Sequence, residues 1–221
     1  MNIAIYDLDK TITRRPTFTH FLLFYARRTA PIRLALLPVW IAGMIGYKLG
    51  LYGRKPLKQF GVAMLIGRQI CPDKLSNIVA SFADHIVTEG LQPGAVARID
   101  ADRVRGALLV MATAAPHFYA GQIGNMLGFD AVIATRHISR ADGRLTHRID
   151  GENCYAGEKL GRVQEWLSHQ GFSRQDAHIR FYSDDLSDRT TLDFADEGYA
   201  VNPSKRFGKA AADANWGVLD F

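Results

Sequence analysis

Short apolar runs bounded by polar residues punctuate the chain. Ile3 to Tyr6, Ala107 to Ala112, Asp130 to Ala134, Ile179 to Tyr182 and Gly198 to Val201 are each four to six residues long. Runs of that length and character read as strands covered on both faces. Between them the apolar spacing turns helical. Phe18, Phe21, Leu22 and Tyr25 share one face, and so do Leu75, Ile78, Val79, Phe82 and Ile86. Further helices are expected over 56–66, 72–88, 94–106, 116–127 and 157–169. Arg136 to Ile149 reads as a β-hairpin turning at Asp142-Gly143. Strands alternating with helices predict an α/β fold, a doubly wound, mostly parallel Rossmann-like sheet. Residues 13–88 break the alternation and read as an all-helical cap inserted after the first strand. The core is then 1–12 and 89–221, with Thr11–Arg15 and Thr88–Pro93 as hinges.

One stretch of the insert stands apart. Leu34 to Tyr47 holds 14 uncharged, mostly apolar residues between Arg33 and Lys48. A membrane span needs about 20, and Pro38, Gly43 and Gly46 weaken this one further. Two readings remain, a helix buried in the cap bundle or a segment lying at a membrane interface.

Charge sharpens the contrast. From Lys10 to Pro72 there are eleven Lys and Arg and no Asp or Glu, so with +5 overall the rest of the chain carries −6. The two cysteines, Cys71 and Cys154, lie far apart, and the seven histidines are scattered. A disulfide framework or a Cys/His zinc site is therefore not expected. No nucleotide-binding glycine loop of the P-loop or dinucleotide type is present. The chain opens directly on a strand, so a cytoplasmic protein is expected, peripheral on the inner membrane face if the cap meets lipid.

The candidate chemistry sits at strand ends. Asp7 and Asp9 close the first apolar run, Thr113 and Ala114 follow the second, and Asp184 and Asp188 follow the run Ile179 to Tyr182. Lys159 lies near the start of a helix. Parallel strands present their carboxyl ends on one edge, so these groups can converge. Crowded, partly desolvated carboxylates repel one another, and Mg²⁺ relieves that cost with oxygen ligands. A hydroxyl and an ammonium beside them suit a phosphoryl group, whose transfer is catalysed by positioning and charge.

Asp7-Leu8-Asp9-Lys10-Thr11, Thr113, Lys159 and Asp184-x-x-x-Asp188 resemble the four ordered motifs of the haloacid dehalogenase superfamily. The likeness is to its phosphoserine-phosphatase-like branch, whose helical cap follows the first motif. Asp142 to Thr146, Asp150 to Cys154 and Val201-Asn202-Pro203 also resemble that branch. The resemblance implies a Mg²⁺-dependent phosphatase. It implies Asp7 as nucleophile, Asp9 as acid and base, Thr113 and Ala114 on the phosphoryl oxygens, and Lys159 as the neutralising cation. Asp7, Asp9, Asp184 and Asp188 are the implied metal site.

Two departures bear on the substrate. The second motif continues Ala114-Ala115-Pro116 without a further hydroxyl, and the cap entrance, Ile12 to Thr17, lacks the Glu that holds the phosphoserine ammonium in that branch. The basic, partly apolar cap resembles that of bacterial phosphatidylglycerophosphate phosphatases. A lipid phosphate monoester and contact with an anionic membrane are thus the leading expectations. A soluble metabolite phosphatase and a non-catalytic phospho-receiver are the alternatives. No nucleic-acid partner is expected.

Overall fold

A computed structural model describes residues 1–221. The chain starts with β1 (Asn2–Tyr6) and a single wide turn, Leu8–Ile12. The insert follows as α1 (Thr17–Thr29), a short turn of helix, α2 (Leu37–Lys48), α3 (Arg54–Gly61), β2 (Gln69–Ile70) and α4 (Pro72–His85). Then come α5 (Pro93–Val104), β3 (Leu108–Pro116), α6 (His117–Met126), β4 (Ala131–Thr135), β5 (His137–Ser139) and β6 (Leu145–Ile149). The chain finishes with α7 (Gly157–His169), β7 (His178–Ser183), α8 (Arg189–Phe194), β8 (Glu197–Val201), α9 (Lys205–Asp213) and β9 (Gly217–Leu219).

Six strands form one sheet in the order β4-β3-β1-β7-β8-β9, and every pairing in it is parallel. β1 is central, and its residues alternate between two cores as a strand period of two requires. Ile3 and Ile5 join Val163 and Leu167 of α7 and Phe207 of α9. Ala4 and Tyr6 join the larger core, which runs through Ile99 of α5 and Tyr119 of α6 into Phe21 and Phe82 of the insert. Phe21 stacks on Tyr119 at 4.8 Å between ring centroids, so insert and sheet share one apolar interior.

The segments expected to be hinges are tied together. Thr13 bridges Leu91, the Arg14 amide donates to the Gly90 carbonyl at 2.8 Å, and the Gln92 amide donates to Ile12 at 2.9 Å. The expected hairpin is present as β5 and β6, but β2 of the insert pairs with β6 and makes it a three-stranded antiparallel sheet.

The apolar run does not fill a bundle. In α2 only Trp40 and Gly46 are buried. Trp40 packs so tightly on α3 that a Cβ on Gly61 would meet its ring at 2.7 Å. Much of the rest of α2 is bare: Val39, Ile41 and Ile45 are about half exposed, and in the flanking segments Ile32, Leu49 and Leu51 are 83, 71 and 73% exposed. No helix is long and apolar enough to cross a membrane.

Candidate active site

β1, β3 and β7 lie side by side, so their carboxyl ends form one edge at the point where the chain switches from one side of β1 to the other. Ligands of open α/β sheets bind at such a switch. A cavity of about 210 Å³ opens there, and all seven residues expected from the sequence line it: Asp7, Asp9, Thr113, Ala114, Lys159, Asp184 and Asp188.

Lys159, in the first turn of α7, is buried and donates to Asp7 Oδ1 at 2.8 Å and to Asp188 Oδ2 at 2.6 Å. Ser183 at the end of β7 also donates to Asp188 Oδ2, at 2.7 Å. Asp7 itself extends the β1–β7 ladder, its amide donating to the Tyr182 carbonyl at 2.9 Å. Asp9 turns the other way. Its Oδ1 accepts from the Thr17 amide at 2.7 Å and the Thr17 hydroxyl at 2.6 Å, at the start of α1. A helix N-terminus favours a carboxylate there. The Thr113 hydroxyl accepts from the Ala115 amide at 3.1 Å. The Ala114 carbonyl accepts from Thr135 Oγ1 at 2.8 Å and from Lys58 Nζ.

The electrostatics follow from crowding. Burial pushes the Asp7 carboxyl up to about 6, with Asp188 and Asp9 adding and Lys159 opposing. Burial also pushes Asp184 up to about 7, helped by Asp7 and Asp185. For Lys159, burial opposes the charge, but Asp188 and Asp7 outweigh it and keep the ammonium protonated. The cavity wall carries five carboxylates against the three cations Lys10, Arg54 and Lys159, and Asp188 Oδ1 is buried with no hydrogen-bond partner.

Those features fit a hard cation. No three acidic, His or Cys side chains enclose an ion by themselves. Mg²⁺ does not need such a cage, since it takes one or two carboxylates and keeps waters and phosphate oxygens. Asp7 and Asp184, both on the cavity wall, are carboxylates that could hold it. Asp188 has only Oδ1 left to offer, because Oδ2 is committed.

Several cavity residues were not foreseen: Lys10, Pro16, Arg54, Tyr155, Asp185 and Ser187. Nor was Lys58, which reaches from α3 to the Ala114 carbonyl and to Asn153 Oδ1 at 2.9 Å. Arg54 and Lys58 carry no local signal, because only the folding of the insert over the sheet edge brings them there.

Comparison with known proteins agrees with this geometry. The profile of the haloacid dehalogenase-like hydrolase family matches residues 4–193. Protein CicA of Caulobacter vibrioides (strain NA1000 / CB15N) is 31% identical over 201 residues, 90% of this chain and 86% of CicA. A crystal structure of a protein of unknown function from Bordetella pertussis Tohama I superposes with a TM-score of 0.88 at 26% identity, covering 99% of this chain and 98% of that one. A phosphoserine phosphatase, solved as a phospho-aspartyl intermediate analogue, shares the fold at a TM-score of 0.64 and 16% identity, over 99% of this chain and 92% of its own. With the family profile spanning most of its length and every strand-end carboxylate within the match, the chain belongs to the haloacid dehalogenase-like hydrolases.

Proposed function

We propose that the chain is a Mg²⁺-dependent phosphomonoesterase that works through an aspartyl-phosphate on Asp7. The carrying observation is the buried Lys159 ammonium, 2.8 Å from Asp7 and 2.6 Å from Asp188, on the wall of a cavity shared with Thr113 and Asp184. The phosphoserine phosphatase of the same fold, solved as a phospho-aspartyl analogue, agrees with this chemistry.

An Asp7 oxygen attacks phosphorus, and the bond to the leaving alkoxide breaks as Asp9 gives that oxygen a proton. Asp9 then takes a proton from water, which attacks the same phosphorus and frees Asp7 and inorganic phosphate. Lys159 offsets charge on the phosphoryl oxygens and fixes Asp7, while Thr113 donates to one of those oxygens. Asp7 and Asp184, with the Asp9 carbonyl, would hold Mg²⁺, which would supply further positive charge at the phosphoryl group. In this reading residues 13–88 are the cap over the cavity, and 1–12 with 89–221 the core.

The substrate this reading favours is a lipid phosphate monoester such as phosphatidylglycerophosphate. The bare apolar residues of α2 and the acid-free stretch 10–72 suit an anionic lipid surface. A soluble metabolite ester is the second reading, because the cavity itself is small and polar. Phosphate release across a panel of lipid and soluble monoesters, with Mg²⁺ or EDTA, tests both. The proposal expects release that EDTA abolishes, fastest on the lipid ester. Equal release with EDTA would sink the metal-dependent mechanism, and preference for soluble esters would sink the lipid substrate.

A further inference from the structure

The loop after β1 has an uncommon backbone. Asp9 is extended (φ −70°, ψ 120°), and Lys10 is left-handed (φ 60°, ψ 0°). Only Gly, and at times Asn or Asp, takes that conformation readily. A lysine keeps it where its surroundings fix it. Here a buried amide from the other tied segment does so. Gln92 Nε2 donates to the Lys10 carbonyl at 2.7 Å and to the Thr11 carbonyl at 3.0 Å, which uses both of its hydrogens. The Gln92 main-chain amide adds a third bond, to the Ile12 carbonyl at 2.9 Å.

Gln92 stands just before α5, where a side chain ordinarily caps its own helix. This one makes no such bond. Its Oε1 instead accepts from Asn202 Nδ2 at 2.8 Å. Asn202 follows β8, is left-handed as well (φ 43°), and accepts from the Phe221 amide at 2.8 Å. With its oxygen taken by a donor, the Gln92 amide turns its nitrogen to the loop. Neither Gln92 nor Asn202 lines the cavity. They reach it through the residues that follow Asp9. The two ends of Asp9 are thus held separately: Thr17 grips the carboxylate, and Gln92 fixes the backbone beyond it. A turn of the Lys10 backbone away from its left-handed form would re-aim the Asp9–Lys10 peptide and the Asp9 side chain with it.

We propose that Gln92 is a positioning residue for Asp9, kept in orientation by Asn202, and that delivery of the Asp9 proton to the leaving oxygen depends on it. This rests on the phosphomonoesterase reading of the cavity and adds to it a residue that touches neither substrate nor the reacting atoms.

Two esters of similar size test it. 4-Nitrophenyl phosphate releases a stabilised phenolate, which needs little protonation as the P–O bond breaks. Benzyl phosphate must leave as an alcohol and needs the Asp9 proton. The ratio kcat/KM reads that first step. Gln92→Met keeps the length of the side chain and removes the amide. It is expected to lower kcat/KM for benzyl phosphate by about tenfold or more, and for 4-nitrophenyl phosphate by less than about threefold. Asn202→Gly tolerates the left-handed backbone and should shift the ratio the same way by a smaller factor. A merely structural role would lower both esters together, so equal losses, or none, would overturn the inference. Hydrogen exchange reads the hold without turnover. In Gln92→Met the Thr13 amide, bonded to the Leu8 carbonyl at 3.0 Å, should exchange about tenfold faster or more, with the amides of β3 and β7 unchanged. If Gln92→Met does not fold, Asn202→Gly carries both readings. Faster exchange at Thr13 supports the hold even if the wild type hydrolyses neither ester, a result that would count against the phosphatase reading alone. Unchanged exchange there would overturn the inference whatever the turnover.

Discussion

Asp7 and Asp9 are two residues apart, yet different parts of the molecule hold them. Asp7 is clamped by Lys159 from the core, while Asp9 is held by Thr17 at the first turn of α1. In the proposed mechanism the proton-transfer group therefore depends on the insert for its aim. Thr17→Val removes the 2.6 Å hydroxyl contact and keeps the shape. It is expected to lower kcat by about tenfold or more with little change in KM, as loss of a well-placed acid–base group does. An unchanged kcat and pH profile would contradict this. Lys58 offers a second test. Burial lowers its pKa to about 7, with Asp9 opposing and Arg54 adding, against an ordinary value of about 10.4 in the unfolded chain. The unfolded state binds the extra proton between those values, so this group makes stability rise with pH from about 7 to 10. Below 7 its cost is constant. Its slope is at most about 1.4 kcal/mol per pH unit. Lys58→Met should flatten that rise in denaturant unfolding, and an identical slope in both proteins would contradict the assignment. The motif carboxylates were legible because acids have little other reason to end an apolar run. Lys58 and Arg54 were not, since a lysine or arginine in an amphipathic helix looks the same whether it faces water or a cavity.

At the scale of elements, one buried acid ties the sheet to a helix. Asp102 of α5 is fully buried and accepts from Tyr6 of β1 at 2.6 Å and from Tyr182 of β7 at 2.8 Å. Arg180 also donates to it, at 3.2 Å, and the two tyrosine rings stack at 4.2 Å. Asp102→Ala leaves two buried hydroxyls without their acceptor and Arg180 with one carboxylate partner fewer. The expected loss, read by urea unfolding, is about 3–5 kcal/mol. A loss under about 1 kcal/mol would show that this cluster does not hold β1 and β7 against α5. The strands that carry the site were legible because a parallel sheet buries both faces and leaves unbroken apolar runs. β2 and β9, two and three residues long, were not legible. Neither has enough residues to show a period, and β2 exists only because β6 stands opposite it. Helix α2 was legible as an apolar run but not as an exposed one. Which side of it meets protein depends on where Trp40 finds Gly61, a contact twenty-one residues away in sequence.

The whole molecule separates its charges and its apolar surface in the same way. The stretch 10–72 is basic and carries the bare apolar residues of α2, while the remaining chain is acidic overall. Through Tyr47, the last turn of α2 touches Arg54 at the cavity wall, so a surface covering α2 would lie beside the site. Ile41→Glu with Ile45→Glu should cost little stability, within about 0.5 kcal/mol each, because both side chains are half exposed. The pair should abolish co-sedimentation with anionic vesicles at low salt. Wild-type protein that ignores such vesicles would contradict the membrane reading. Closure is constrained at this scale as well, since the paired neck at Thr13 and Leu91 and the shared core oppose a free swing of the whole insert. The central claim is covalent chemistry at one carboxylate, and acid-quenched mass spectrometry of the protein during turnover with Mg²⁺ tests it most directly. The account predicts one phosphoryl group on the peptide holding Asp7, absent from Asp7→Asn protein, which should also release no phosphate while staying folded. Turnover that persists in Asp7→Asn, or a phosphoryl group on any other residue, would contradict it.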